Sequence, residues 1–219
     1  MPKRKLRLRL VRGLLDRTST EYLDQENITM LTFLWIIAGI WIIFMALIYI
    51  PTLRDSAPVE RRSSKYIQRS FIIALAAAIL VVILANYVSD ALILRVVPDS
   101  SLSGITGIIL TIAGLGFSVW ARRHLGRNWS SMVQVKFGHQ LIRTGPYRIV
   151  RNPMYTGIFI AFVGAAIAIG ELLAFVALAI GLVSIVIKIQ AEEEILTEKF
   201  GEEYLQYKRE VKALIPFVV

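Results

Sequence analysis

The chain has 219 residues, 56% of them hydrophobic, and a mean hydropathy of +0.61, well above the roughly 45–50% apolar content of soluble domains. Its formal net charge is +9, but the basic residues lie between long apolar runs and no nucleic-acid reader motif is present. That excludes nucleic acid as a partner and points to anionic lipid headgroups. There is no cysteine, and His124 and His139 are the two histidines, so disulfides, a thiol nucleophile, cysteine-held metal centres and a histidine-rich metal site are all excluded.

Residues 1–29 form a polar, basic arm in which Lys3, Arg4, Lys5, Arg7, Arg9 and Arg12 alternate with Leu6, Leu8, Leu10 and Val11. Residues 4–15 read as an interfacial helix or a loose arm, and the alternation fits a short strand equally well. The apolar run Met30–Ile50 is too long for a signal-peptide core, and no small-residue cleavage site follows it. It has about the ~20 residues that a bilayer demands and ends at Pro51, which lacks the N–H that continues a helix. A second span is expected over Phe71–Val88, or on to Val97, before the turn cluster Pro98-Asp99-Ser100-Ser101. Leu102–Trp120 is the third, and its Gly104, Gly107, Gly114 and Gly116 allow close helix contact. After a polar stretch, 121–154, come Tyr155–Ile169 and Leu172–Ile187, divided by Gly170-Glu171. One helix of that combined length would overshoot the bilayer, so the two read as a hairpin.

The expected fold class is therefore an all-α integral membrane protein with about five transmembrane helices, a C-terminal helical hairpin and a charged amphipathic cytoplasmic tail, 188–219. Three regions are expected: the arm 1–29, the N-terminal transmembrane helices 30–101 and a catalytic region 102–219. Lysine and arginine bias places loops 51–69 and 121–154 and the C-terminus in the cytoplasm, with Arg95 and the Gly170-Glu171 turn on the opposite side. The same count puts the basic N-terminal arm outside, against the bias, so a cytoplasmic N-terminus with a different span count stays open.

Two polar stretches bracket the hairpin. The first runs from Gly138 to Gly157 and contains Gly145-Pro146-Tyr147 and Arg151-Asn152-Pro153-Met154-Tyr155. The second contains Glu192-Glu193-Glu194, then Phe200-Gly201, Tyr204 and Tyr207. Antiparallel hairpin helices bring both to one membrane face, although about 40 residues separate them in the chain. Taken singly these are ordinary features: a turn, membrane-flanking charges, an interfacial tyrosine and a solvated helix. His124 reads as the end of the third span.

At this spacing the sequence resembles the isoprenylcysteine carboxyl methyltransferase family, related to the membrane phospholipid methyltransferases, and its small prokaryotic members in particular. Gly145, Tyr147, Arg151, Asn152, Pro153 and Tyr155 fall on the family's first block, the glutamate pair on its second, and Phe200, Gly201, Tyr204 and Tyr207 on its tail. Leu125 to Ser130 and the Gly138-His139-Gln140-Leu141 segment also resemble it. The likeness covers roughly 102–216. One departure is Asn152, where the family has histidine. Asparagine keeps a donor and an acceptor but does not titrate near neutral pH.

The resemblance implies an S-adenosylmethionine-dependent methyltransferase in a prokaryotic cell membrane, with its cofactor site facing the cytoplasm. The implied cofactor residues are His139, Leu141, Gly145, Tyr147, Asn152, Pro153, Tyr155, Glu192 and Glu193, with Arg151 and Glu192 catalytic. Arg151 suits the cofactor's carboxylate, or equally an acceptor carboxylate. Glu192 or Glu193 suits its ammonium, with Glu194 leaving the register open by one residue. Tyr147 and Tyr155 offer aromatic faces to the sulfonium. The implied partners are the bilayer and a lipophilic or prenylated acceptor bearing a carboxylate or thiol. A phospholipid or other amine acceptor, a non-catalytic membrane scaffold and a nicotinamide-dependent membrane reductase are the alternatives.

Overall fold

The computed structural model of the protein describes residues 32–33, 35–48, 50, 59–62, 94–129, 134–136, 138 and 140–216. The basic arm 1–29, the expected span Phe71–Val88 and His139 lie outside them. In chain order the described elements are helix α1 (Trp35–Ile48), strand β1 (Val59–Arg62), helix α2 (Ser101–Leu125), strand β2 (Gln134–Lys136), and helices α3 (Pro153–Ile169), α4 (Leu172–Phe200) and α5 (Glu202–Glu210). By length and composition α2 and α4 can cross a membrane, while α1 and α3 are shorter apolar helices.

Helix α2 begins at a capping box. Ser103 donates its backbone N–H to Ser100 Oγ at 3.1 Å, and Ser103 Oγ accepts the Ser100 N–H at 3.3 Å, which satisfies donors that an open helix start leaves bare. The helix runs past the expected end at Trp120 to Leu125, with Arg122, Arg123 and His124 in its last turn. Basic groups there complement the negative end of the helix dipole. Helix α4 likewise continues past Ile187 to Phe200, so the first part of the expected tail is the same helix. Hydropathy marks where a helix leaves hydrocarbon, not where its hydrogen bonds stop.

The tightest contact joins α2 to α3. Gly107, Thr111, Gly114, Ser118 and Ala121 are buried, in alternating steps of four and three residues that keep one seam facing its partner. Gly157, Ala161, Gly164 and Ala168 repeat the pattern on α3. A Cβ on Gly114 would lie 2.4 Å from the Gly157 carbonyl oxygen, and one on Gly164 would lie 2.6 Å from that of Gly107. Across the seam Ser118 Oγ donates to the Met154 carbonyl at 2.8 Å. Lipid is as apolar as leucine, so close backbone approach drives such a pair. Of the four glycines expected to serve contact, Gly116 meets nothing within 4 Å among the described residues.

Around this pair, Phe44 and Ile48 of α1 pack with Leu115, Trp129 and Ala161, and Trp41 stacks on Phe162 at 4.9 Å. The α3–α4 hairpin turns at Gly170, whose φ of 75° is left-handed, a conformation glycine adopts without strain. Residues 94–97 cover the turn. Val96 and Val97 donate to the Gly170 carbonyl, and Leu172 donates to that of Leu94. The second span therefore does not run helically on to Val97. The same contact makes Arg95 and Glu171 bridge partners, at one end of the bundle as expected.

The all-α expectation needs one addition. Strands β1 and β2 pair antiparallel, which ties loop 51–69 to loop 121–154. Both leave their helices with unpaired backbone groups, and a two-stranded ladder satisfies some of them.

Gly114→Ala is expected to destabilise the protein by about 1–3 kcal/mol through overpacking, seen as a lower unfolding temperature in detergent. Gly116→Ala is the matched control and should leave that temperature unchanged or raised.

Candidate active site

Pro153 opens α3 at its first position, where a missing N–H costs nothing. The preceding Asn152 does not cap the helix. Its Nδ2 instead donates to Glu193 Oε1 and to the Ala213 carbonyl, each at 3.3 Å. Arg151 has five N–H donors and uses them inside the protein. Nε and Nη2 meet Glu193 Oε1 at 2.9 and 2.8 Å. Nη1 donates to the Lys208 carbonyl at 3.1 Å and also to that of Val211. Lys208 Nζ closes on the other Glu193 oxygen at 2.9 Å. Both Arg151 and Glu193 side chains are 9% exposed.

The C-terminal segment is fastened by the same short stretch. Backbone N–H groups of Arg151 and Asn152 donate to the carbonyls of Lys212 and Ala213 at 2.7 and 3.0 Å, and Thr156 Oγ1 donates to Leu214 at 2.7 Å. The start of α3 thus holds the carbonyls at 208 and 211 to 214, and Glu193 of α4 sits at the centre of the clamp.

A second cluster lies one helical turn toward the bilayer. Tyr155 donates its hydroxyl to Glu192 Oε1 at 2.6 Å. Burial raises the pKa of the Glu192 carboxyl, and Lys188, four residues earlier, opposes that shift and favours the carboxylate; the Lys188 Nζ lies 5.6 Å from the Tyr155 ring centre. Below are Ile185 and Ile189, packed with Leu214, Phe159 and Phe162. The three consecutive glutamates therefore face three ways, as steps of about 100° require. Glu192 turns to Tyr155 and Glu193 into the clamp. Glu194 is exposed on an open 340 Å³ recess that Gln190, Thr197, Glu198, Lys208 and one side of Glu193 also line.

The third component is the Gly145–Arg148 turn. Gly145 has φ of 58°, and a Cβ there would come within 2.7 Å of the His124 ring, so glycine is required on both counts. His124 Nε2 is 2.9 Å from Thr144 Oγ1, and the ring stacks on Tyr147 at 6.4 Å. Tyr147 reaches the Ala121 carbonyl with its hydroxyl at 3.4 Å, and its own carbonyl accepts from the Tyr207 hydroxyl. Burial pushes the phenols of Tyr147, Tyr204 and Tyr207 above their ordinary range, so they stay neutral hydrogen-bond donors.

The structure thus gathers Gly145, Tyr147, Arg151, Asn152, Pro153, Tyr155, Glu192 and Glu193 at one end of the bundle. Leu141 is half-buried in the segment leading to the turn. Arg151, expected to meet the carboxylate of cofactor or acceptor, and Glu193, one of the two glutamates expected to meet the cofactor's ammonium, pair with each other here. Sequence reasoning missed Lys188, Lys208, Thr156 and the positioning role of His124. The signal for Lys188 was present: a cation four residues before Glu192, at the end of an unbroken apolar run.

Residues 102–203 match the phospholipid methyltransferase family. The chain is 27% identical over 159 residues to a probable protein-S-isoprenylcysteine O-methyltransferase of Oryza sativa subsp. indica, covering 71% of this chain and 81% of that protein. It is 39% identical over 71 residues to methanethiol S-methyltransferase 1 of Bradyrhizobium diazoefficiens, covering 32% of this chain and 24% of that one. Among solved structures it resembles a eukaryotic intramembrane Ras methyltransferase, isoprenylcysteine carboxyl methyltransferase, with a TM-score of 0.50 and 26% identity. That match covers 69% of this chain and 53% of the other.

Arg151→Ala leaves the buried Glu193 with Lys208 and the neutral Asn152 amide, and breaking a buried pair costs about 3–5 kcal/mol. The expected result is loss of protection over 205–216 in hydrogen exchange or limited proteolysis. Arg151→Lys, which cannot reach two carbonyls and a carboxylate together, should fall between.

Proposed function

We propose that the chain, which resembles the isoprenylcysteine carboxyl methyltransferases in sequence and fold, transfers a methyl group from S-adenosylmethionine to the carboxylate of a lipophilic, prenyl-like acceptor. The observation that carries this reading is the Tyr155–Glu192 pair, set between a water-facing clamp and an apolar wall. Relatives that are O- and S-methyltransferases leave the scaffold and reductase alternatives without support.

The residues present fit the cofactor. Glu192 offers a carboxylate to its ammonium, and the first turn of α3 has no capping side chain, so its N–H groups suit an anion. Tyr147 and Tyr155 supply aromatic faces beside the glutamate. When bound, S-adenosylmethionine supplies an electrophilic methyl group on a sulfonium. The protein's own contribution is alignment and exclusion of water. Tyr155 holds Glu192 in one orientation. The Arg151–Glu193 clamp closes the C-terminal segment over the end of the bundle, and Ile185 and Ile189 with Phe159 and Phe162 make a dry wall on which an acyl or prenyl chain can lie. A carboxylate acceptor needs no base, so placement is the main requirement. A thiol acceptor is the second reading, favoured by the likeness to the methanethiol enzyme; a thiolate needs no base either.

In this reading residues 102–219 are the catalytic region, 30–101 the N-terminal transmembrane helices and 1–29 a basic arm, with about five spans in all. The β1–β2 pairing of loops 51–69 and 121–154 supports a shared face for them; in this reading that face is cytoplasmic, in keeping with its basic residues, and the cell is a prokaryote, in keeping with the resemblance. His139 belongs to the same cofactor face by resemblance.

Calorimetry with S-adenosylhomocysteine on the detergent-purified protein should give micromolar binding, weakened at least about tenfold by Glu192→Gln, the loss of one charge-assisted contact. Folded protein that binds nothing, or a variant that binds as well as the parent, would remove the donor site. Single cysteines placed at Gln140 and Ser100 should label from opposite sides of the membrane; labelling from one side would overturn the proposed orientation.

A further inference from the structure

A ligand with an amino-acid end carries an ammonium and a carboxylate on one carbon. Its site needs an anion and a cation a few ångströms apart. The cations at this end of the bundle are largely committed elsewhere. Arg151 holds Glu193 and the tail carbonyls. Lys208 pairs with Glu193, Arg143 with Glu210 and Arg209 with Glu202. Arg122 lies over the Trp129 ring and donates to the Gly126 carbonyl. Arg123 and Arg148 are exposed.

Lys188 is different in position. It is the first charged residue after the apolar stretch from Leu172 to Ile187, at the boundary between hydrocarbon and headgroups. A lysine there ordinarily extends toward water. This one is half-buried and turns over the Tyr155 ring, into the hairpin. One helical turn on is Glu192, fixed by the Tyr155 hydroxyl at 2.6 Å, and side chains four apart on a helix have Cβ atoms about 5–6 Å apart. Tyr155, Lys188 and Glu192 therefore present one cation, one anion and one aromatic face in a single patch.

We infer that Lys188 binds the carboxylate of the cofactor's amino-acid end while Glu192 binds its ammonium. The i,i+4 pair is matched to a zwitterion. On binding, Glu192 faces the ligand's ammonium and Lys188 its carboxylate, so each buried charge meets an opposite one. This assigns to Lys188 the task that spacing suggested for Arg151, and it rests on the reading of the site as one for S-adenosylmethionine.

The test is calorimetry on the full chain in detergent with S-adenosylhomocysteine and its decarboxylated analogue, which keeps the amine and lacks the carboxylate. The parent should prefer the first by about tenfold or more, as a charge-assisted hydrogen bond implies. Lys188→Met keeps the apolar stem; it should bind both compounds alike, with the parent's affinity for the decarboxylated one. Lys188→Gln repeats the measurement should the methionine variant not fold. A variant that retains the parent's preference, or a parent that has none, overturns the assignment while leaving the donor site standing. A folded parent that binds neither compound removes the donor site itself, and the assignment with it.

Discussion

Arg151 and Glu193 come from opposite ends of the α3–α4 hairpin sequence and meet almost out of contact with water. Removing two charges from solvent costs several kcal/mol per ion, which only good geometry and further hydrogen bonds offset. Here they do so from both sides. Glu193 accepts from Arg151, Asn152 and Lys208, and Arg151 divides its donors between that carboxylate and two backbone carbonyls. The consequence reaches beyond the pair. One contact fixes the start of α3, the water-facing extension of α4 and the chain after α5.

The clamp needs a rigid base, and the α2–α3 seam provides it. In a membrane the hydrophobic effect does not drive helix against helix, so registry comes from backbone proximity and interhelical hydrogen bonds. Gly107, Gly114, Gly157 and Gly164 let the backbones touch, and Ser118 pins the first turn of α3 through the Met154 carbonyl. That sets how far the Arg151-Asn152-Pro153 corner stands above the bilayer, and hence where it meets Glu193. The same registry brings His124, at the end of α2, against Gly145 and Tyr147.

The arrangement also accounts for asparagine where the family has histidine. Asn152 takes part by donating to Glu193 and Ala213, work that needs a donor and not a titrating group. The clamp is therefore intact without a proton acceptor at this position, which suits an acceptor that arrives already ionised. The charged and apolar halves of the site meet near Lys188.

Much of this was legible in the residues themselves. Apolar runs bounded by Pro51 and Gly170-Glu171 marked helices, because breakers end them. The glycines of the third span foretold close packing, and the spacing of Arg151, Tyr155 and Glu192 foretold their assembly, because a hairpin returns its two ends to one face. Other features depended on tertiary structure. Hydropathy could not report that α2 and α4 continue beyond the membrane, since a helix in water and a helix in lipid share one hydrogen-bond pattern. Nor could it tell Gly116 from Gly114, which differ only in what lies opposite. Above all, three consecutive glutamates look alike in a sequence. A turn of about 100° per residue, set against Tyr155, Arg151 and solvent, decided that Glu192 meets Tyr155, Glu193 holds the protein together and Glu194 meets water.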